Sequence, residues 1–197
     1  MLTKEVLAHK YVKRLFIARF ISNFGNGMGP IALAFGILAL PNGSGNMLGF
    51  VLGTTTVVFL LMAPYGGVIA DKYGRARMVG LTDMAAGAVL FIQVFYFAKG
   101  DVPLAILLIT NGFFGLMWGI FWPAFSGLMP AVLPEEGLQK GNALNAFMTN
   151  AGVISGAAVA GVLIDLFGVA FTLAIDAASF FISGFMIFTF RHLNQLS

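Results

Sequence analysis

Apolar residues occupy this chain in long unbroken runs, and the polar residues collect in short clusters between them. Neither strict alternation nor a narrow apolar stripe describes the runs. Each is long enough to cross a hydrocarbon layer of ~30 Å as a helix of about 20 residues. The pattern predicts six helical spans: about Leu15–Leu40, Met47–Ala70, Met78–Ala98, Leu104–Leu128, Ala143–Ile164, and a last span from beyond Gly168 to Phe190. The breaks carry turn residues. Pro41-Asn42-Gly43-Ser44-Gly45-Asn46 and Lys99-Gly100-Asp101-Val102-Pro103 read as loops, Pro130–Asn142 as the longest polar linker, and Asp165-Leu166-Phe167-Gly168 as a short turn. The expected fold class is therefore an all-α membrane protein. Residues 1–14 form a polar, basic N-terminal segment with no cleavage-type signal behind it, and 191–197 a polar tail.

The densest charge cluster, Asp71-Lys72-Tyr73-Gly74-Arg75-Ala76-Arg77, lies between the second and third runs and must turn the chain at a membrane surface. Gly74 supplies the backbone freedom of a tight reversal, and Gly66-Gly67 allow another helix to come close. With six spans, Lys4, Lys10, Lys13, Arg14, Lys72, Arg75, Arg77, Lys140 and Arg191 fall on one side of the membrane and Lys99 on the other. Short loops rich in Lys and Arg stay in the cytoplasm, so the expectation is a multi-pass protein of the plasma (inner) membrane with both termini cytoplasmic.

Composition narrows the function classes. A chain of 197 residues with 59% hydrophobic and 10% charged residues lacks the polar surface a soluble domain needs. The net charge of +3 arises from residues flanking apolar runs, a topology pattern rather than a phosphate-binding patch, so nucleic acid is not an expected partner. No cysteine is present, which removes disulfides, thiolate metal sites and a cysteine nucleophile. His9 and His192 flank the spans, no Ser-His-Asp set is in register, and no phosphate-cradling glycine loop ends in Lys-Ser or Lys-Thr. An enzyme, a metal centre and a cofactor are accordingly not expected.

The chain repeats itself. Gly67-Val68-Ile69-Ala70-Asp71-Lys72-Tyr73-Gly74 matches Gly161-Val162-Leu163-Ile164-Asp165-Leu166-Phe167-Gly168 at an offset of 94 residues, with four of eight positions identical. An offset of 93 brings Asp83 onto Asp176. This divides the chain into a three-helix unit over 15–98 and a second over 104–190. Three being odd, the second unit enters the membrane inverted, an arrangement found in secondary transporters.

The segment Gly67-x-x-x-Asp71-Lys72-x-Gly74-Arg75-x-Arg77 resembles the loop between the second and third helices of the major facilitator superfamily, with Lys where Arg is commoner. Phe121-Trp122-Pro123-Ala124-Phe125, Leu133-Pro134-Glu135, Gly141-Asn142-Ala143-Leu144-Asn145 and Gly152-x-x-x-Gly156 with Gly161 are similar to the branch that holds enterobactin-type siderophore and macrolide exporters. Gly156 is followed by Ala157 where that branch has Pro, and Asn111 stands where an Arg is frequent. The family has twelve spans and this chain six. The resemblance implies half of a major facilitator fold, its N-terminal half, exporting hydrophobic small molecules of drug or siderophore type by alternating access. A parallel homodimer or a separately encoded second half-transporter chain would complete it. The other reading is an isolated or truncated half that folds in the bilayer and does not transport alone.

Candidate residues follow. The resemblance makes Gly67, Asp71, Gly74, Arg75 and Arg77 a conformational latch, Asp71 meeting a helix N-terminus of the other half in one access state; capping and topology alone are the alternative. Arg19, Asn23 and Asn26 share one face of the first span. Arg19 either snorkels to the surface or serves function, and Asp83 is expected to pair with the loop arginines. Polar and soft groups at Asn23, Asn26, Asn111, Met28 and Met117, with Trp118 and Trp122, are candidates for the substrate pathway. Asp176 is a candidate proton-coupling carboxylate, a structural hydrogen bond being the alternative. Asn150, Gly152, Gly156 and Gly161 form a small-residue stripe suited to helix packing or a dimer seam.

Overall fold

A computed structural model describes residues 10–128, 130, 133 and 135–189. It is helical throughout: α1 (Lys10–Leu38), α2 (Gly45–Tyr73), α3 (Arg75–Lys99), α4 (Leu104–Ser126) and α5 (Glu135–Phe188). Among the described residues α2, α3, α4 and α5 are long and apolar enough to cross a membrane. At 1.5 Å per residue, the 54 residues of α5 would reach about 80 Å, more than twice a hydrocarbon layer. That run is broken at Gly168, whose φ of 85° and ψ of 172° are not helical. The break gives α5 a first arm, 135–167, and a second arm, 169–188.

The helix limits differ instructively from those read off the sequence. Between the second and third spans there is no loop of seven residues: Gly74 alone leaves the helix, with φ 95° and ψ 125°, while its N–H still bonds the carbonyl of Ala70 at 2.9 Å. Asp71, Lys72, Arg75 and Arg77 are all helical. The Asp165–Gly168 turn likewise shrinks to Gly168. Such backbone angles are strained for any residue with a Cβ, so one glycine breaks each helix where charge alone suggested a longer loop. Glu135 and Glu136, read as loop residues, sit in the first turn of α5, where carboxylates favour the exposed backbone N–H groups. At the start of α2, the Ser44 hydroxyl accepts from the N–H of Met47 at 3.2 Å. The segments 1–9 and 191–197, with Lys4, His9, Arg191 and His192, lie outside the described residues.

Glycine sets the packing by letting backbones touch. A Cβ on Gly152 or Gly156 of α5 would strike the backbone of Phe20 or Phe24 in α1, and one on Gly27 the carbonyl of Val153. The order of these contacts makes α1 parallel to the first arm. In the same way Gly115 abuts Thr55 and Gly66 abuts Gly119, so α2 and α4 are parallel. Contacts of Gly80 with Gly184 and of Gly87 with Ala177 run α3 antiparallel to the second arm. Gly25 against Ser179 and Gly36 against Val169 do the same for α1 and that arm.

Apolar clusters close both ends of the bundle. Val12, Leu15, Phe16, Ala70, Val79, Phe121, Phe125 and Leu128 form one; Leu33, Ile37, Val51, Val102 and Leu107 form the other.

Candidate functional site

A cavity of about 200 Å³ opens among α1, α2, α3, α4 and the second arm of α5. Its wall is mostly apolar, from Leu33, Leu52, Leu90, Phe114, Trp118 and Leu173, with polar groups from Asn26, Thr55, Thr56, Gln93, Asn111 and Asp176. Apolar walls with a few placed polar groups are the ordinary make-up of a small-molecule site. Phe114 and Trp118, one turn apart on α4, bring their rings to 5.3 Å between centroids.

Most of the polar groups are held by the protein. Asn111 donates to the Leu107 carbonyl at 2.9 Å and accepts from the Thr55 hydroxyl at 3.3 Å. Gln93 donates through Nε2 to the Thr110 hydroxyl at 2.7 Å, and that hydroxyl donates onward to the Ile106 carbonyl at 2.7 Å. The Thr110 proton being committed, its oxygen must accept, which fixes the Gln93 amide with Oε1 on the other side. Gln93 Oε1 is buried and without a hydrogen-bond partner. So is Oδ1 of Asp176, a residue only 3% exposed. Its carboxylate sits in a notch on α1 where a Cβ at Gly25 or Gly29 would collide with it. Two glycines one turn apart are what let a carboxylate of the second arm lie flat against α1.

A separate polar cluster surrounds Arg19. It is 2% exposed and does not snorkel. Its guanidinium lies over the Phe121 and Phe125 rings at 4.9 and 4.6 Å, and Nη2 donates to Asn23 Oδ1 at 3.2 Å. Asn23 in turn donates to Thr149 of α5 at 3.2 Å. Asp83 is also buried and accepts from the Ser183 hydroxyl at 2.9 Å; its charge interacts with Arg19, not with the loop arginines. The expected pairing fails because Asp83 is two turns past Arg75 on α3, facing inward, whereas Arg75 bonds Asp71 at 2.7 Å and packs on Gly127.

Of the pathway candidates, Asn26, Asn111 and Trp118 line the cavity with Asp176. Asn23 belongs to the Arg19 cluster. Met28 is fully buried, Met117 packs against Ala86, Leu90, Ala177 and Phe180, and Trp122 is 40% exposed. Gly67, Asp71, Gly74, Arg75 and Arg77 lie together at the α2–α3 junction. Gly152 and Gly156 are buried against α1, while Asn150 and Gly161 face outward, nothing approaching within 4 Å of a Cβ at Gly161. Sequence reasoning passed over Gln93, the one glutamine inside an apolar run, and Thr55; a lone amide in hydrocarbon was the available signal.

Helices long and apolar enough to cross a membrane, packed around a partly open and mostly apolar cavity, define a polytopic membrane protein. The family model of the Major Facilitator Superfamily matches residues 15–195, and the chain belongs to that family of transporters. It is similar to the uncharacterized MFS-type transporter YkuC of Bacillus subtilis, 25% identical over 93% of this chain and 42% of the relative. It is 24% identical to the Staphyloferrin A transporter of Staphylococcus aureus, over 87% of this chain and 43% of that protein. The Quinolone resistance protein NorA of Staphylococcus aureus is 25% identical over 62% of this chain and 30% of its own length. The chain spans about half the length of the curated relatives it matches. A crystal structure of a bacterial homologue of the iron transporter ferroportin, outward-facing with soaked iron, shares the fold at a TM-score of 0.74. That likeness is 18% identical and covers 93% of this chain and 50% of the other.

Proposed function

We propose that the chain forms six spans as two inverted three-helix repeats, the N-terminal half of a major facilitator exporter of hydrophobic small molecules, and works by alternating access around the central cavity. The observation that carries the reading is the cavity itself: it is walled from both repeats and holds an unpartnered carboxylate, Asp176, on the second.

The repeat is supported by packing. Exchanging α1 with α4, α2 with the first arm of α5 and α3 with the second arm carries the most extensive pairings into one another or onto themselves, though the slight α1–α2 contact has no comparable counterpart between α4 and the first arm. The parallel pair α1 and first arm becomes α4 and α2, and the antiparallel pair α1 and second arm becomes α4 and α3. Gly74 and Gly168, which break the helices at positive φ, stand 94 residues apart. The Asn23–Thr149 bond has its counterpart in Asn111–Thr55, the threonines again 94 apart and the asparagines 88. An offset of 88 also places Gly27 on Gly115, the two close-contact glycines of α1 and α4.

In this reading the latch is Gly67, Asp71, Gly74, Arg75 and Arg77, on the cytoplasmic side with both termini, in the plasma (inner) membrane. Asn26, Asn111 and Trp118 contact substrate in the cavity, Asn23, Met28, Met117 and Trp122 belong to the path toward it, and Asp176 exchanges the coupling proton. The second half is a parallel copy of this chain or a separate half-transporter chain, docking on the outward faces of α2 and the first arm. Leu61, Tyr65 and Val68 of α2 and Phe147, Ile154 and Val162 of the first arm expose large apolar side chains there, beside Asn150 and Gly161. The test is uptake into inverted vesicles driven by a proton gradient, comparing the chain with Asp176→Asn. Gradient-dependent transport lost in the variant is expected; vesicles that move no substrate with the chain alone would favour a non-transporting half.

A further inference from the structure

We infer that the partner docked on the outward faces of α2 and the first arm is a second copy of this chain. Its first arm lies antiparallel on α2, with Asp165 at the α2 N-terminus and Glu135 and Glu136 at the Lys72–Arg77 junction. The inference rests on the reading of the bundle as one half of a transporter, and adds which chain completes it and in what register.

The two faces are matched in length and opposite in charge. At 1.5 Å per residue the 29 residues of α2 reach about 44 Å and the first arm about 50 Å. α2 is positive at both ends. Its first turn has no acidic residue to offset the unbonded N–H groups there, and Lys72 stands in its last turn, followed by Arg75 and Arg77. The first arm is negative at both ends: Glu135 and Glu136 open it, and Asp165 stands in its last turn.

Asp165 is the informative charge. It answers Asp71 in the repeat, and both sit where a helix ends negative and disfavours a carboxylate. Asp71 is held by Arg75 at 2.7 Å. The residue that answers Arg75 is Val169, and among the described residues Asp165, which is exposed, forms no ion pair. A positive group from outside the bundle would offset that cost.

A second copy brings such a group to the right place. α2 reverses the direction of α1 and the first arm runs with α1, so two copies inserted alike set α2 of one antiparallel to the first arm of the other. A two-fold axis along the membrane normal makes this contact twice. Placing Asp165 of the second copy on Gly45 sets its Gly161 on Gly49 and its Ala157 on Gly53, and brings its Glu135 to Arg75. Gly45, Gly49, Gly53 and Gly161 are exposed, with nothing within 4 Å of an added Cβ, so the backbones can close there. Asp101 shares a hollow with Ser44 and Asn46 but does not come within 4 Å of a Cβ at Gly45. At the other end Lys140 offsets one of the two glutamates and Asp71 one of the three cations, which leaves that contact attractive.

The test is energy transfer between donor- and acceptor-labelled copies in liposomes as lipid dilutes the protein, with dyes on Ser197→Cys because the chain has no cysteine of its own. Glu135→Lys with Glu136→Lys makes one reversed copy, and Lys72→Glu with Arg77→Glu the other. Each should lose self-association about tenfold or more, and a mixture of the two should regain it, because both contacts then join unlike charges. Asp165→Lys should weaken the dimer several-fold, and raising salt from about 0.05 to 0.5 M should loosen the unsubstituted dimer. These two readouts stand where a reversed copy fails to insert. A dimer indifferent to the reversals, to Asp165→Lys and to salt overturns the register. An unsubstituted chain with no transfer above random encounter overturns the second copy as partner, and a separate half chain then completes the bundle. Both results leave the half-transporter reading to the vesicle assay, where its own failure is read.

Discussion

Arg19 and Asp83 are buried charges on different helices, 2% and 3% exposed, and their removal should be strongly non-additive. Replacing Arg19 by Met takes away a charge-assisted hydrogen bond to Asn23, about 1.5 kcal/mol or more, and two cation–π contacts of about 1 kcal/mol each. It also strands Asp83 in the bundle with Ser183 alone. Arg19 and Asp83 interact through their charges without an ion pair inside 4 Å, so the loss falls mainly on the Asn23 bond and the ring contacts, and Arg19→Met should cost about 2 to 4 kcal/mol. Asp83→Asn is milder. The amide keeps an acceptor for Ser183, and Arg19 keeps Asn23 and both rings, so only the charge interaction is lost. Coulomb's law at an effective dielectric of about 20 limits that to roughly 4 kcal/mol at 4 Å, and about 1 to 2 kcal/mol is expected. In the double variant no charge is stranded, so it should be more stable than the sum of the two losses by about 1 to 3 kcal/mol. Equilibrium unfolding in mixed micelles with increasing dodecyl sulfate, read by circular dichroism, measures the cycle. Additivity within about 0.5 kcal/mol would refute a buried charge interaction between α1 and α3.

Gly27→Ala and Gly115→Ala, whose added Cβ would press on the backbone of Val153 and Thr55, should each lower stability by about 1 to 3 kcal/mol in the same micelle assay. Gly161→Ala meets nothing within 4 Å and should leave the isolated bundle unchanged or firmer by up to ~1 kcal/mol; any loss of function there points to a partner on that face. Asp71→Asn breaks an exposed i,i+4 ion pair and should cost under ~1 kcal/mol, while a latch role would lower transport several-fold in the vesicle assay. Gly74→Ala, at φ 95°, should cost about 1 to 2 kcal/mol by the same unfolding measurement.

The sequence disclosed the membrane class, the family and the places where the chain breaks because each is written locally: in run length, in the Asp71–Arg77 cluster and in turn residues. The site was only partly legible. Asp176 and Asn111 stood out as polar groups in hydrocarbon, but that Asp176 rests on Gly25 and Gly29 depends on α1 crossing the second arm, and no local pattern encodes a crossing. Arg19 lies one turn from the polar N-terminal segment, where snorkelling is the ordinary outcome. Its burial follows from Phe121 and Phe125 meeting it from α4, a contact about 100 residues away in sequence. The overlong loops came from weighing charge above glycine: charged side chains extend from a helix end without ending it, whereas a positive-φ glycine does end it.

If this bundle is one half of a transporter completed by a second bundle against α2 and the first arm of α5, cysteines on those two faces should cross-link between copies. The chain has no cysteine, so Val68→Cys on α2 and Phe147→Cys on the first arm, 69% and 66% exposed, can be introduced without background. Copies bearing one or the other are combined in nanodiscs, oxidised and weighed by native mass spectrometry. A disulfide-linked dimer of twice the chain mass is expected, formed between the two variants and not by α3 controls such as Phe95→Cys. A folded monomer that never cross-links at these faces would contradict the self-completed transporter.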